Sequence, residues 1–303
     1  MSGSWEHEPV LVEEVLAHMA IAPGMTVLDG TIGMAGHAVA ILARLGGEGR
    51  LIGLDRDPAA LATARERTAP YAAQVVLQQR SFAELAAVRD ELSPAGLDAV
   101  LLDLGVSRDQ LTSERFSFQG EAPLDLRLDP SQTETAGDLL ARLSEEELAQ
   151  LLEEYGDERF AARIARGVVA ARRQKRLETS RELVEIIVKA YPPKARHGRT
   201  HIATRTFQAL RIAVNDMYGA LATALRDAPG CLRPGGRLGI ISFHSGEDRQ
   251  VKQAFKALAA SGAYRLETRK PIFASDAERR RNPGARSARL RVLTAAAPAV
   301  EEA

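Results

Sequence analysis

The sequence predicts an α/β protein: a mostly parallel sheet flanked by helices and interrupted by an all-α insert. Three observations predict it. From the first third of the chain onward, β-prone runs alternate with helical patterns, the signature of strand–helix–strand units. Three of those runs end in a carboxylate, at Asp29, Asp55 and Asp103, which places three acidic groups on one edge of the sheet. At about Ser113 the alternation stops, and until about Ile212 there are helices and loops without a convincing strand. The expected division is therefore residues 1–112 with 213–303 for the sheet and 113–212 for the insert.

Taken in order, Pro9 to Ala20 carries Val10, Leu11, Val15, Leu16 and Met19 at helical spacing, so a helix leads into the first strand. Val27 to Asp29 is that strand, and a turn with Gly30, Gly33 and Gly36 precedes a helical pattern from His37 to Leu45. Leu51 to Asp55 is the second strand, and Pro58 opens a helix to about Thr68. Val75 to Leu77 and Ala99 to Asp103 follow as strands, with a helix over Phe82 to Leu92 between them. In the insert, Ser144 with Glu147 and Thr179 with Glu182 are capping boxes, the first opening a helix closed by Gly156. Helices are also expected over Arg159 to Arg173 and, as one long element, from about Thr204 to Asp227, stopped by Pro229-Gly230. The sheet resumes at Arg237 to Ser242 and is followed directly by Phe243-His244-Ser245 and a helix to Ala260. Tyr264 to Arg269 and Ala288 to Leu293 close it as a β-hairpin pair.

The glycine turn is a ligand site in this reading. Glycines bring backbone close to a ligand, the helix start offers free N–H donors, and Asp55, on the next strand, is placed to accept ribose hydroxyls. The spacing G-x-x-G-x-x-G departs from the dinucleotide fingerprint G-x-G-x-x-G, and no Gly-Lys-Ser/Thr of a phosphate-binding loop is present. Asp29 before the turn suits a cationic ligand better than a pyrophosphate. S-adenosylmethionine, with its sulfonium and no phosphate, meets both conditions; a plain βα turn whose glycines serve packing is the alternative.

Forty Lys/Arg and forty Asp/Glu in 303 residues cancel, so only local clustering speaks of partners. Arg159 to Arg211 holds fourteen Lys/Arg against Glu178, Glu182 and Glu185, and a second cluster includes Arg269, Lys270, Arg279, Arg280, Arg281, Arg286, Arg289 and Arg291. Both favour a polyanion such as RNA over a merely solvated face. Cys231 is the single cysteine, which excludes a disulfide framework and a cysteine-rich zinc site. No metal is expected. The N-terminus has no basic start with an apolar segment, and no apolar run is long enough for a membrane span, so a soluble cytoplasmic protein is expected.

From end to end the chain resembles the bacterial 16S ribosomal RNA cytosine-N4 methyltransferases, the small-subunit methyltransferase H or MraW-like family. The resemblance rests on His7-Glu8-Pro9-Val10-Leu11, Asp29-Gly30-Thr31 through Gly36-His37, Asp55-Arg56-Asp57-Pro58, and Leu102 through Ser107. It continues in Phe116-Ser117-Phe118, Pro123 through Arg127, Tyr155-Gly156, Ala203 through Ile212, Ser242 through Ser245 with Glu247-Asp248-Arg249, and Asn282-Pro283 with Arg286-Ser287-Ala288. It implies a class I S-adenosylmethionine-dependent methyltransferase fold, Rossmann-like with seven strands, and an inserted all-α domain for rRNA recognition. It implies methyl transfer to the exocyclic N4 of cytidine 1402 of 16S rRNA within the 30S subunit, by a monomer or homodimer. The cofactor residues it implies are Ala35, Gly36, His37, Asp55, Phe82, Asp103 and Gln110.

Cytosine N4 is a poor nucleophile, since its lone pair is delocalised into the ring. A site must hold its amino hydrogens so that the lone pair turns toward the methyl group, which is work for orientation and electrostatics. Asp103 is the first candidate acceptor; backbone carbonyls of Leu104 to Ser107 are further ones, and the Asn/Asp-Pro-Pro-aromatic motif of many amine methyltransferases is absent. His244 is a candidate for contacting the base or taking its proton, with a purely structural histidine as the alternative. Phe116 and Phe118 are candidates for stacking on an extruded base or for the core, and Arg205 and Arg211 for phosphate contacts. Met34-Ala35 departs from the family's residue-plus-glycine, and the Ala35 methyl is expected to narrow the approach to the methionine moiety. No glycine precedes Phe116, Gly246 replaces leucine and Met217 replaces glutamate. The alternatives are a methyltransferase acting on another RNA or on protein, and a non-catalytic assembly factor that binds rRNA.

Overall fold

The computed structural model describes residues 8–105, 116–118, 121–196 and 201–297. The chain divides into two compact units, Met1–Gly105 with Gly219–Ala303, and Val106–Tyr218. The second unit extends six or so residues beyond the predicted insert at each end. Loss of strand pattern marks where regular pairing stops, whereas compactness also counts the chain leaving and rejoining the sheet.

The first unit is a three-layer sandwich. Its strands are β1 (Thr26–Asp29), β2 (Arg50–Asp55), β3 (Val75–Gln79), β4 (Leu97–Asp103), β5 (Leu232–Ser242), β6 (Tyr264–Leu266), β7 (Ile272–Phe273) and β8 (Arg289–Ala295). The order is β3-β2-β1-β4-β5-β8-β6, with β7 also pairing β8. The first five are parallel, and β8 is antiparallel to β5, β6 and β7. The sheet thus has one strand more than expected, because Ile272–Phe273 fills part of the loop of the closing pair. Two residues give no period-2 pattern, so a strand this short is defined by pairing with β8.

Alternation along the strands builds both cores. Val27, Leu51, Ala99, Leu101 and Ile241 face one cluster, with residues of the helices α1 (Val12–His18), α2 (Gly36–Leu45) and α3 (Pro58–Arg67). Leu28, Ile52, Leu54, Val100, Leu102 and Ile240 face the other, with α4 (Leu85–Leu92). The strand order reverses between β1 and β4, where open α/β sheets bind ligands beyond the strand C-termini. Asp29, Asp55 and Asp103 stand at the last residues of β1, β2 and β4.

The second unit contains α5 (Ala136–Arg142), α6 (Glu145–Gly156), α7 (Ala161–Arg172), α8 (Ser180–Ala190) and α9 (Thr204–Val214) around its own apolar core. The capping boxes at Ser144/Glu147 and Thr179/Glu182 are both formed. Gly156 does not close α6 as expected: it is the last helical residue, and Asp157 takes the left-handed conformation at φ 48. A Cβ on Gly156 would lie 2.6 Å from the Arg205 carbonyl oxygen, so the glycine serves close approach of α6 and α9.

The long helix expected over 204–227 is two helices, α9 and α10 (Met217–Asp227). Asn215 breaks it. Fully buried, it donates through Nδ2 to Leu126 O at 2.8 Å and to Arg211 O at 2.9 Å, and it accepts the Leu128 N–H at 2.8 Å. Asp216 then turns at φ 45. Because Asn215→Ala would leave the buried Leu126 carbonyl and the partly buried Leu128 N–H without their partner, it is expected to cost about 2–3 kcal/mol in urea unfolding. A midpoint unchanged from wild type would refute that role. The chain closes with α11 (Ser245–Ala260) and α12 (Asp276–Arg281). Among the described residues no helix is long and apolar enough to cross a membrane.

Candidate active site

The glycine turn is fastened to three strand ends. Gly30 N–H donates to Leu101 O and Ile32 N–H to Leu54 O, each at 2.9 Å, while Asp103 N–H donates to Thr31 Oγ1 at 2.6 Å. Gly33 takes φ 49 and donates its N–H to Asp55 Oδ2 at 2.9 Å. Asp55 Oδ1 accepts from Asp57 N–H at the same distance, and the Arg56 backbone adds a further donor to the carboxylate. Burial raises its proton affinity above the usual carboxylate range, against these donors. Gly30 is required by packing: a Cβ there would lie 2.5 Å from Leu102 Cδ2 and 3.0 Å from Phe82 Cβ. Phe82, half-buried at the start of a 3₁₀ turn, therefore sits against the glycine turn.

Ala35 precedes α2 at φ 60, the left-handed conformation that glycine adopts without cost. This is a physical reason for glycine at that position. Its methyl is fully buried in the cluster with Val10, Leu11 and Ile32. The expected narrowing of a ligand approach is thus not what the structure shows; the substitution acts on backbone strain and core packing. Ala35 supplies no side-chain cap to α2, so the first N–H groups of the helix, starting with Gly36 and His37, are not capped from that side chain.

His37 is buried, and its Nε2 lies 2.8 Å from Val10 O. A carbonyl only accepts, so Nε2 carries the hydrogen. Burial lowers the His37 pKa, leaving a neutral ring whose Nδ1 lone pair faces Asp103 Oδ2 at 3.7 Å, too far for a hydrogen bond. Asp103 is pushed up to about 7 by burial and then by Glu247. Its Oδ1 is buried and has no hydrogen-bond partner among the described residues. Asp29, 1% exposed, is raised to about 6 by burial, partly offset by His37. Three carboxylates so placed, with raised proton affinities, make an acidic edge that would welcome a cation.

On the neighbouring strand, Asp103 pairs with Ile241 and Leu104 N–H donates to Ile241 O. His244, three residues on, is the N-cap of α11, with Nε2 2.8 Å from Glu247 Oε1. Gln110, the remaining expected cofactor residue, lies outside the described residues, as do Val106 and Ser107 of the expected carbonyl group.

Several expectations fail for reasons of burial. Arg211 does not present a phosphate-binding group: it is 7% exposed, donates to Phe116 O at 2.7 Å, and burial lowers its pKa to about 10. Of the two readings of Phe116, the core holds and the stacking platform does not: the ring is 3% exposed. Phe118 is half-buried, stacked on His201 at 5.0 Å and tilted on Phe207. Arg205 remains exposed, donating to Asp157 O at 2.9 Å. The insert is not basic as a unit: residues 106–218 hold eighteen Lys/Arg and eighteen Asp/Glu. Acidic partners from 121–145 meet the basic run, in Arg181–Glu121, Arg176–Asp138 and Arg166–Glu145. In the C-terminal cluster, by contrast, Arg269, Lys270, Arg280 and Arg286 are exposed and have no ionic partner among the described residues.

A β3-β2-β1-β4-β5-β8-β6 sheet with β8 antiparallel, a glycine turn after β1 and acidic residues ending β1, β2 and β4 is a class I methyltransferase fold. The chain belongs to the MraW methylase family, whose model matches residues 4–296. It is 47% identical to the ribosomal RNA small subunit methyltransferase H of Symbiobacterium thermophilum over 307 residues, covering 96% of each chain. The proteins of the same name from Geobacter sulfurreducens and Heliobacterium modesticaldum are also 47% identical, with 95% of this chain covered and 98% and 97% of theirs.

Proposed function

We propose that this protein transfers a methyl group from S-adenosylmethionine to the exocyclic N4 of cytidine 1402 in 16S rRNA within the 30S subunit. The observation that carries the chemistry is Asp103 Oδ1, a buried acceptor without a partner among the described residues, at the end of the strand beside the glycine turn. Such a group is costly to leave unpaired and is accounted for by a ligand that donates to it. The names of the relatives support ribosomal RNA of the small subunit as the substrate class, and the motif resemblance supports the cytidine amine.

The site's residues fit the cofactor. The helix start, with Ala35 before it and the N–H groups of Gly36 and His37, would face its methionine part, the Asp55 carboxylate its ribose, and Phe82 its adenine. When bound, S-adenosylmethionine supplies a sulfonium methyl, an electrophile that needs no metal. The acidic edge favours its positive charge. Asp103 holds either the amino hydrogens of N4 or the cofactor's ammonium group; in the first role it turns the nitrogen lone pair toward the methyl carbon. His244 takes the proton released by N4. The helical unit and the unpaired cations Arg269, Lys270, Arg280 and Arg286 serve rRNA recognition, the cations by contacting phosphates.

The test is methylation of 30S subunits lacking N4-methylcytidine with labelled cofactor, mapped by nuclease digestion and mass spectrometry. Label on the cytosine amine at position 1402, lost in Asp103→Ala, is the expected result. Label at another nucleotide or on protein would redirect the substrate, and cofactor binding without label on any component would refute the assignment.

A further inference from the structure

Phe273 is the large apolar side chain left exposed among the described residues, at 45%. A single exposed ring is common and carries nothing by itself; its setting does. It ends β7, a two-residue strand preceded by Arg269, Lys270 and Pro271. Its strand partner is Arg289, which pairs in turn with Ser242 at the end of β5. Ile272 packs against the core that holds α1 to α3, so by strand alternation Phe273 and Arg289 stand together on the opposite face, their Cβ atoms about 5 Å apart. The Arg279 guanidinium lies over the phenyl ring, 5.9 Å from its centroid and 3.6 Å from the exposed carboxylate of Asp276.

This ring belongs to the edge that carries the site. Ser242 directly follows Ile241, the partner of Asp103, so Phe273 stands three strand spacings from Asp103 along the C-terminal ends of the parallel strands, about 14 Å. Around it, Arg269, Lys270, Arg280 and Arg286 are exposed and Arg289 is half-buried, none with an ionic partner among the described residues. An apolar plane ringed by cations selects a ligand with a flat face and negative charge, which is an unpaired nucleotide. A second copy of this chain would instead bring the same positive charge against itself. An enzyme that acts on a base takes it out of its stack, and this frees the faces of the neighbouring bases as well.

We propose that Phe273 is a base-stacking residue for the rRNA substrate: an unpaired base near the target cytidine lies on the phenyl ring, and its phosphates lie on the surrounding cations. This rests on the function proposed above. It gives Phe273 the stacking role that burial denies to Phe116. Stacking engages the face of a base and not its edge, so the contact supplies affinity for the subunit without reading the base's identity.

The experiment compares full-length wild type, Phe273→Ala and Phe273→Trp, the last combined with Trp5→Phe so that a single indole reports. On 30S subunits, Phe273→Ala should raise KM for the subunit about tenfold, the loss of one stacked base, with kcat and KM for S-adenosylmethionine within about twofold of wild type. Phe273→Trp should keep the wild-type KM. Its indole fluorescence should be quenched by a short single-stranded RNA carrying the sequence around the target cytidine. An indole that the RNA leaves unquenched overturns the proposal, even if Phe273→Ala fails to fold. So does a folded Phe273→Ala variant whose KM for the subunit stays within about twofold of wild type. A wild-type dimer that Phe273→Ala dissolves in sedimentation also overturns it, since a second copy of the chain then covers the ring. If the wild type itself transfers no methyl group to the 30S subunit, it is the functional assignment that falls, while stacking is still read from the quenching.

Discussion

Asp103→Asn is expected to lower methyl transfer about 10²- to 10³-fold and, at pH 8, to make the protein more stable than wild type. The two effects share one cause. Burial and Glu247 raise the Asp103 pKa from 3.8 to about 7. A carboxyl whose folded pKa is raised binds its proton more tightly in the folded chain than in the unfolded one. Its contribution to stability is therefore greatest below pH 4, falls as pH rises through the window to about 7, and is a full penalty above it. Asparagine has no proton to lose. Calorimetry should show equal melting temperatures near pH 4 and an advantage for the variant at pH 8, on the order of 1–3 kcal/mol. Asp29, raised to about 6, leaves a smaller slope of the same sign in both proteins. The wild-type kcat/KM should rise through about pH 7 as Asp103 ionises, and the variant should lack that limb. A melting difference independent of pH would show that the carboxyl is not held at a raised pKa, and full activity would remove it from the chemistry.

Glu158→Ala is expected to loosen the helical unit by about 3 kcal/mol or more, since it strips a buried acceptor from several donors at once. Glu158 is 2% exposed and accepts from Tyr191 Oη at 2.7 Å, Phe160 N–H at 3.1 Å and Thr206 Oγ1 at 3.2 Å. These donors come from the end of α8, the start of α7 and the first turn of α9, so one carboxylate joins three elements. Burial and the adjacent charge push the Tyr191 hydroxyl pKa above its usual value, which keeps it a donor. Amide exchange should quicken across α6 to α9 while β1, β2 and β4 keep their protection. Glu158→Gln, which retains an acceptor oxygen, should recover part of the loss; protection unchanged in Glu158→Ala would dismiss the residue as a structural centre.

Neither Glu158 nor Glu247 stood out in the sequence as a group with a task, although Glu247 lay in a quoted motif. What a sequence displays is pattern along the chain: β-prone runs ending at Asp29, Asp55 and Asp103, the glycine turn between them, and Ser144 and Thr179 each followed by Glu three residues on. Those features are local. Their geometry is decided within a few residues by backbone sterics, capping bonds and alternation, and each is found where the pattern puts it. The fold class was legible for that reason, and the end-to-end motif resemblance identified the family.

Tertiary structure decided which charges remain charges. Arg211 and Arg205 lie on the same helix and look alike in sequence, yet one is buried against Phe116 and the other exposed. The excess of positive charge over Arg159 to Arg211 met acidic partners from 121–145, distant in the chain and near in space. Asn215 interrupts a continuous helical pattern because Leu126 and Leu128, almost ninety residues earlier, need its amide. Ala35 carries a backbone conformation that its residue type does not announce. Burial, pKa and tautomer depend on what surrounds a group in three dimensions, and desolvation energies of several kcal/mol outweigh local preferences of less than one. By itself the sequence determined the sheet, the turn and the acidic edge; only the folded chain decided the proton affinity of Asp103, the engagement of Glu247 with His244 and which cations stay free.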